Sequence, residues 1–106
     1  MKSNKILTLL GFASKASKLD FGFDASVESM KKKKTKLIIA ANDISNKTLK
    51  EIVFFAEKYQ TKHIILEDID IETLSKAVGR RCGIIAVNDE GFANACVDIG
   101  GNANDK

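Results

Sequence analysis

Apolar residues recur at helical spacing in five stretches of the chain. In the first stretch the spacing is that of an amphipathic helix, with a stripe of Ile6, Leu9, Leu10, Ala13 and Ala16. This helix is predicted over about 4–17, with Ser3 as a candidate N-cap. Later helices are predicted from near Asp24 into the lysines at 31–34, over 46–59, around Ile71, Leu74 and Val78, and over NDEGFANACVDI at 88–99, with Asp89 as a cap.

Four short runs between these helices predict strands: LDFG at 19–22, LIIAA at 37–41, HIIL at 63–66 and IIAV at 84–87. LIIAA has no polar alternation, which is typical of a central strand covered on both faces. Alternating helices and strands predict an α/β fold with a largely parallel or mixed sheet between helices. Asn-Asp pairs at 42–43 and 88–89 follow two of the strands and are expected to turn the chain or cap a helix.

The length of 106 residues fits one domain, which we assign to residues 1–99, followed by a polar tail at 100–106 that we expect to be flexible. The N-terminal segment resembles a secretory leader in having Lys2 and Lys5 before ILTLLGFA. Its helical spacing, and Lys15 and Lys18 behind it, favour the first helix of the domain instead. No apolar run is long enough to span a membrane. We expect a soluble, cytoplasmic protein whose two cysteines are free thiols in a reducing cytosol.

Charge is distributed unevenly, although the net value is only +3. Residues 1–36 carry a balance of +6, and residues 37–106 carry a balance of −3. The segment 30–43, MKKKKTKLIIAAND, places four consecutive lysines and a fifth directly before the strand at 37–41. A molecule with this polarity is expected to turn one face towards an anionic ligand such as nucleic acid.

The sequence offers little for catalysis or metal binding. Cys82 and Cys96 are too few and too far apart for a zinc motif, so we expect free thiols. The one histidine, His63, opens an apolar strand, where a partly buried structural role is expected. The acids at 67–72 lack the spacing of a calcium loop, and no P-loop or G-x-G-x-x-G motif occurs. We therefore expect no enzyme activity, no metal and no cofactor.

Two segments suit an anionic ligand. In the first, Gly22 precedes a helix whose N-terminal amides attract phosphate oxygens, and the lysines at 31–36 add diffuse positive charge. In the second, Gly79-Arg80-Arg81-Cys82-Gly83 forms a flexible cationic loop whose arginines can fork onto phosphates or a guanine edge. Spacing along the chain leaves open whether the two segments share a face. Taken separately, each is explained equally well as a solvated surface.

Four segments agree with one known family in helix order, strand order and glycine positions: LLGFASKASKLDFG at 9–22, KLIIAANDISNKTLK at 36–50, LSKAVGR at 74–80 and IIAVNDEGFANAC at 84–96. The chain resembles the kink-turn RNA-binding ribosomal protein superfamily of the L-seven-Ae and L-thirty-e type. More narrowly, it is similar to the small bacterial YlxQ-like branch. The resemblance covers nearly everything from Ile6 to Val97.

The resemblance implies a three-layer α/β/α sandwich around a small mixed sheet of about four strands, the ribosomal L-thirty-e-like fold. It also implies RNA binding without catalysis. In the family, the start of the second helix enters the RNA at tandem sheared G·A pairs, and the loop before the last strand covers the flipped-out nucleotide of the kink. The RNA-binding residues implied for this chain are Gly22, Phe23, Asp24, Ala25, Glu28, Lys31, Lys32, Lys36, Gly79, Arg80, Arg81 and Cys82.

One part of the family pattern is different. Strong kink-turn binders carry N-E-x-x-K at the helix start, whereas this chain has Asp24, Ala25 and Glu28 at the matching positions. Asp24 lacks an amide donor, Ala25 makes no hydrogen bond to a base, and Glu28 reverses the charge that should meet phosphate. The pattern leaves open a kink-turn bound weakly or in modified form, and a different structured RNA.

We expect a monomer that binds structured RNA, either rRNA or an mRNA leader, in association with the ribosome or the translation machinery. Two alternatives remain at this point. The first is a protein-interaction module that keeps the fold but has lost tight RNA affinity. The second is an enzyme that acts on an anionic substrate at the Arg80-Arg81 loop, for which the sequence offers no plausible base.

Overall fold

Helices and strands alternate along residues 2–100, the part of the chain that the computed structural model describes. The elements are α1 Lys2–Lys15, β1 Leu19–Phe21, α2 Phe23–Lys31, β2 Leu37–Ala40, α3 Asn46–Lys58, β3 Lys62–Ile65, α4 Ile71–Val78, β4 Ile84–Val87 and α5 Glu90–Gly100. The predicted α/β fold is confirmed. Across this part of the chain, no helix combines the length and the apolar character that a membrane crossing needs.

The four strands form one mixed sheet in the order β1-β4-β2-β3. Strand β2 runs parallel to β3, and β4 runs antiparallel to both β1 and β2. Every residue of the two central strands, β2 and β4, is buried, as the continuous apolar runs predict.

Side chains alternate across these central strands and supply two separate cores. Leu37 and Ile39 of β2 point to the layer that contains α1, α4 and α5, and their buried partners there include Leu10 and Leu74. Ile38 of β2 points to the opposite layer, formed by α2 and α3. Full burial of such a side chain contributes about 1.5–3 kcal/mol, so both helical layers are fixed to the sheet. This is the three-layer sandwich that the family resemblance implies.

Several helix ends differ from the sequence-based expectation. Ser3 lies inside α1, which begins at Lys2, so the predicted N-cap is wrong. The helix ends at Lys15, and the positive φ of 61° at Ser17 turns the chain towards β1. The cap at Asp89 is confirmed, since its carboxylate accepts from the amide of Phe92 at 2.9 Å. Helix α5 includes Gly100, and the rest of the predicted tail, 101–106, lies outside the described residues.

The strand directions give the sheet two chemically different ends. At the first, which we call the arginine end, the amide of Gly22 donates to the carbonyl of Ile84 at 2.8 Å, and the amide of Ala41 donates to Gly83 at 2.9 Å. At the second, which we call the lysine end, the amide of Lys36 donates to the carbonyl of Val87 at 2.7 Å. Strand β4 therefore begins at the arginine end and finishes at the lysine end.

Asp20 on β1 connects three segments near the lysine end. Its carboxylate accepts hydrogen bonds from the hydroxyl of Ser29 and from the side-chain amide of Asn88, the latter at 2.9 Å, and forms an ion pair with Lys34 at 3.6 Å. The side chain is 27% exposed. Burial raises the pKa of Asp20, but the two hydrogen bonds and the lysine outweigh it, so the pKa lies below its usual value.

We expect Asp20→Asn to lower the free energy of unfolding at pH 7 by about 1 kcal/mol, because a partly exposed, charge-assisted network is lost. The folded pKa is lower than the unfolded value near 3.8, so the stabilisation is present above that value and is lost as the pH falls further through the folded pKa. Urea unfolding curves between pH 7 and about pH 3 measure this difference.

The matched control is Asp98→Asn, which removes a carboxylate from an exposed site on α5. It should leave the acid dependence of the parent unchanged. If the free energy of unfolding changed with pH in the same way for Asp20→Asn and the parent, the network would not stabilise the fold.

Candidate nucleic-acid interface

The N-terminus of α2 presents backbone amides at the arginine end. Its N-cap is Gly22, with φ 95° and ψ 169°, a conformation that is essentially restricted to glycine. Gly22 has no side chain to cap the helix, so the first-turn amides and their partial positive charge face outwards. Asp24 in this first turn is exposed, whereas Ala25 is half-buried.

The loop at 79–83 follows α4 and is tied to that helix by Ser75. The amides of Gly79 and Arg80 both donate to the carbonyl of Ser75, at 2.9 and 3.1 Å. The hydroxyl of Ser75 accepts from the amide of Cys82 at 3.0 Å and donates to the carbonyl of Ile71 at 2.6 Å. These hydrogen bonds tie both ends of the loop to Ser75, and the flexibility expected from its two glycines stays a prediction.

These two segments lie side by side. The hydrogen bond from Gly22 to Ile84 joins the start of α2 to the strand that the loop enters. The guanidinium carbon of Arg80 lies 5.1 Å from the centroid of the Phe21 ring, immediately before Gly22. Both Arg80 and Arg81 are exposed. The tertiary structure thus places the start of α2 beside the arginine loop, a relation that sequence spacing left open.

Cys82 does not present its thiol with the arginines. Its side chain is only 6% exposed and packs in the core between the sheet and α1, α4 and α5. Burial raises the pKa of the Cys82 thiol and outweighs the positive charge of Arg80, which lowers it. The thiol therefore stays protonated at neutral pH. Burial likewise raises the pKa of Cys96 to about 11. Of the predicted site residues, Cys82 can therefore contribute backbone atoms only.

The lysine run lies at the other end of α2. Lys31 is the last residue of the helix, Lys32 is its C-cap, and both are exposed, as is Lys36. Nine helical residues span about 13 Å, which separates these lysines from Gly22 along the helix axis. Lysines suit this position because the C-terminus of a helix carries partial negative charge. The structure therefore does not bring the lysine run to the arginine loop.

Acidic residues near the arginine end serve as helix caps. Asp43 accepts from the amide of Ile71 at 2.8 Å, and Asp70 accepts from the amide of Thr73 at 2.8 Å. The hydrogen bond from Thr73 holds the pKa of Asp70 below its usual value. Among the described residues, no group of His, Cys, Asp and Glu side chains is arranged to hold a metal ion.

Sequence reasoning missed two contributors to this surface and one exposed aromatic side chain on α3. Ser75, which holds the loop, carried no signal, since its partners lie in other parts of the backbone. Phe21 was predicted to lie in a strand, but its contact with Arg80 was not predicted. Phe54 did carry a signal: it lies outside the apolar stripe of α3, and it is 59% exposed.

We expect Ser75→Ala to lower the free energy of unfolding by about 1–3 kcal/mol, because the amide of Cys82 loses its acceptor in a partly buried site. Hydrogen exchange at the Cys82 amide should become faster. Ser14→Ala is a suitable control, since the Ser14 hydroxyl donates to the carbonyl of Val78 at 2.8 Å without capping an amide of the loop. Unchanged protection of the Cys82 amide in Ser75→Ala would contradict the proposed role of Ser75.

Comparisons with known proteins agree with this architecture. Residues 4–97 match the model of the Ribosomal protein L7Ae/L30e/S12e/Gadd45 family. The chain is 27% identical over 92 residues to the RNA-binding protein YlxQ of Bacillus subtilis (strain 168), covering 86% of this chain and 90% of that protein. It is 26% identical over 95 residues to the RNA-binding protein YlxQ of Enterococcus faecium, covering 90% of each.

Solved structures show the same fold. A protein of unknown function from Bacillus halodurans C superimposes with a TM-score of 0.85 at 26% identity, covering 90% of this chain and 95% of that one. The Giardia lamblia 15.5kD RNA binding protein superimposes with a TM-score of 0.80 at 14% identity, covering 96% of this chain and 87% of that one, a likeness of fold alone. The resemblance to the YlxQ-like branch is confirmed, and the chain belongs to the Ribosomal protein L7Ae/L30e/S12e/Gadd45 family.

Proposed function

We propose that this protein binds structured RNA, without catalysis, through the arginine end of its sheet. The observation that carries the proposal is that the α2 N-terminus lies beside the loop at 79–83: Gly22 bonds to Ile84, the first residue after the loop, and Arg80 of the loop lies over Phe21, the residue before Gly22. The names of the two YlxQ relatives and the ribosomal membership of the family support RNA as the ligand.

Each part of this surface suits a different feature of RNA. The uncapped amides of α2 can donate hydrogen bonds to phosphate oxygens or to acceptors on base edges. Arg80 and Arg81 can fork onto phosphates, and the contact with Phe21 limits the motion of the Arg80 guanidinium. Because Ser75 already holds the loop, little conformational entropy is lost when RNA binds.

The lysine run would contribute through charge rather than through base recognition. Lys31 and Lys32 are exposed at the end of α2, about one helix length, roughly 13 Å, from Gly22, and Lys36 is exposed at the lysine end. A kinked RNA that contacts the start of α2 can extend its flanking phosphates along the helix to these lysines. Contacts of this kind position an RNA but do not read its sequence.

The proposed target is a kink-turn or a related kinked RNA in rRNA or an mRNA leader, bound by a cytoplasmic monomer that works with the translation machinery. A loop beside a helix terminus fits a bent RNA better than a uniform duplex. The major groove of an A-form RNA duplex is deep and narrow and excludes side chains. The buried, protonated thiol of Cys82 offers no nucleophile for the enzyme alternative.

A protein-interaction role is the second candidate. Asp24 and Glu28 lie one helical turn apart and are both exposed, so they place two negative charges on the surface that would meet phosphate. This acidic pair suits a basic protein partner as well as an RNA with an unusual contact. Binding experiments with variants of α2 distinguish the two functions.

The central test compares a kink-turn RNA with a plain RNA duplex. The double variant Arg80→Ala/Arg81→Ala should lose most of the preference for the kinked RNA, with a drop of about tenfold or more in affinity for it. Affinity of the parent should fall with salt at a logarithmic slope of about 0.7–0.9 per phosphate contact. Fluorescence anisotropy of labelled RNA at several salt concentrations measures both quantities.

The matched control is Lys31→Ala/Lys32→Ala, which removes the same amount of charge from the lysine end. It should weaken both RNAs equally and reduce the salt slope. Equal effects of the two double variants on both RNAs would show that the arginine loop is an unspecific charge patch. Absence of RNA binding by the parent even at low salt would rule out the proposed function.

A second variant tests the family pattern on α2. The triple variant Asp24→Asn/Ala25→Glu/Glu28→Lys should bind a kink-turn RNA about tenfold more tightly than the parent, since one good base contact alone contributes about 1–3 kcal/mol. Asn supplies an amide donor, Glu supplies an acceptor for a guanine edge, and Lys replaces a repulsive charge. Affinity is measured at fixed salt, with circular dichroism to confirm that the variant is folded.

The control for added charge is Glu57→Lys, which makes the same charge reversal as Glu28→Lys at an exposed position on α3. It should leave the preference for kinked RNA over duplex unchanged. A folded triple variant with unchanged or weaker affinity would favour the protein-interaction function over RNA binding at this surface.

A further inference from the structure

An aromatic groove lies between α2 and α3, beside the proposed RNA surface. It is lined by Phe23, Lys50, Glu51, Phe54 and Phe55, and encloses about 420 Å³. Phe54 is 59% exposed, an unusual position for a phenylalanine on a surface helix. Its ring makes an edge contact with Phe55, at a centroid distance of 5.4 Å, and leaves one side open to a ligand.

The rings continue from one end of the sheet to the other. Phe23, which follows Gly22 at the arginine end, contacts Phe55 with a centroid distance of 6.2 Å. Phe55 stacks on Tyr59 at 6.4 Å, with an interplanar angle of only 9°. Tyr59 is the C-cap of α3, so the row of rings reaches the lysine end.

Cations accompany this row of rings. The ammonium groups of Lys33 and Lys58 lie 6.0 and 5.6 Å from the centroid of Tyr59, on which both can make cation–π contacts. Lys50 supplies a further positive charge in the groove. Glu51 also lines the groove, where its carboxylate would repel phosphates but can accept hydrogen bonds from base amino groups. Rings flanked by lysines are the combination that single-stranded nucleic acid requires, since bases stack on the rings and phosphates meet the cations.

We propose that the groove lined by Phe23, Phe54 and Phe55, with Tyr59 next in the row of rings, binds a single-stranded RNA segment that continues from the kinked RNA at the arginine end towards the lysine end. This inference rests on the proposed function for the arrival of the RNA at Phe23, but the groove residues are separate from Arg80 and Arg81. The groove supplies stacking surfaces rather than a pattern of hydrogen bonds, so it would favour unpaired RNA with little preference for sequence.

The test uses a kinked RNA with blunt ends and the same RNA with a single-stranded extension of about four nucleotides at either its 5′ or its 3′ end. For one of the two extensions, the parent should bind about tenfold more tightly than for the blunt RNA, as expected for one or two stacked bases. Phe54→Ala should abolish this gain and leave the affinity for the blunt RNA unchanged. Phe12→Ala is the matched control, since Phe12 is 58% exposed on α1, in the opposite helical layer.

Tyr59 provides a second readout, because it is the one tyrosine of a chain that has no tryptophan. Its emission should be quenched by the extended RNA and not by the blunt one. Equal affinity for blunt and extended RNAs, or a gain that persists in Phe54→Ala, would overturn the inference while the proposed function stands. The groove would then be a candidate binding site for a protein instead of RNA.

Failure of the proposed function gives a different result. The parent would then bind neither kinked RNA, and the groove would be tested with a single-stranded oligoadenylate alone. Quenching of Tyr59 that Phe54→Ala removes would support the groove without the kinked RNA, and no quenching would overturn both ideas. Arg80→Ala/Arg81→Ala should lower affinity for blunt and extended RNAs by the same factor, so that losses at the two surfaces can be separated.

Discussion

The arrangement of β4 between β1 and β2 is the constraint on which the rest of the structure depends. Ile85 pairs with Phe21 on one side and with Ile39 on the other, in antiparallel register. Because both faces of β4 are buried, a shift of one residue would exchange its two core faces and leave neither helical layer correctly packed. The register is thus fixed, and with it the position of everything attached to the two ends of the strand.

This register also brings the few residues of the proposed RNA surface together. The loop at 79–83 must enter β4 beside the residue that ends β1, and Gly22 must turn there into α2. Hydrogen bonds from the loop amides to Ser75 fix the other side of the loop. The start of α2 and the arginine loop are therefore held together by backbone hydrogen bonds and strand pairing rather than by contacts between charged side chains, which stay available for a ligand.

The same topology separates the charges along the molecule. Lysines follow α2 and α3 and precede β2 and β3, so they accumulate at one end of the sheet, where they suit the negative ends of the helix dipoles. Acidic residues precede α4 and cap it at the opposite end. The row of aromatic rings runs between these two ends on the layer of α2 and α3. It connects the start of α2, at the arginine end, to the lysines at the opposite end.

The sequence by itself determined the elements and the layers. Local periodicity is sufficient to define a helix stripe such as that of α3 or a buried strand such as LIIAA, because both depend on residues close together in the chain. It also placed the cap at Asp89 correctly, since capping involves neighbouring residues. Only the tertiary structure decided that Arg80 lies on Phe21, that the Cys82 thiol faces the core, and that the lysine run lies a helix length away from the arginine loop. These facts depend on strand pairing and on the direction in which each side chain points, which are properties of residues far apart in the chain and therefore leave no trace in a local pattern.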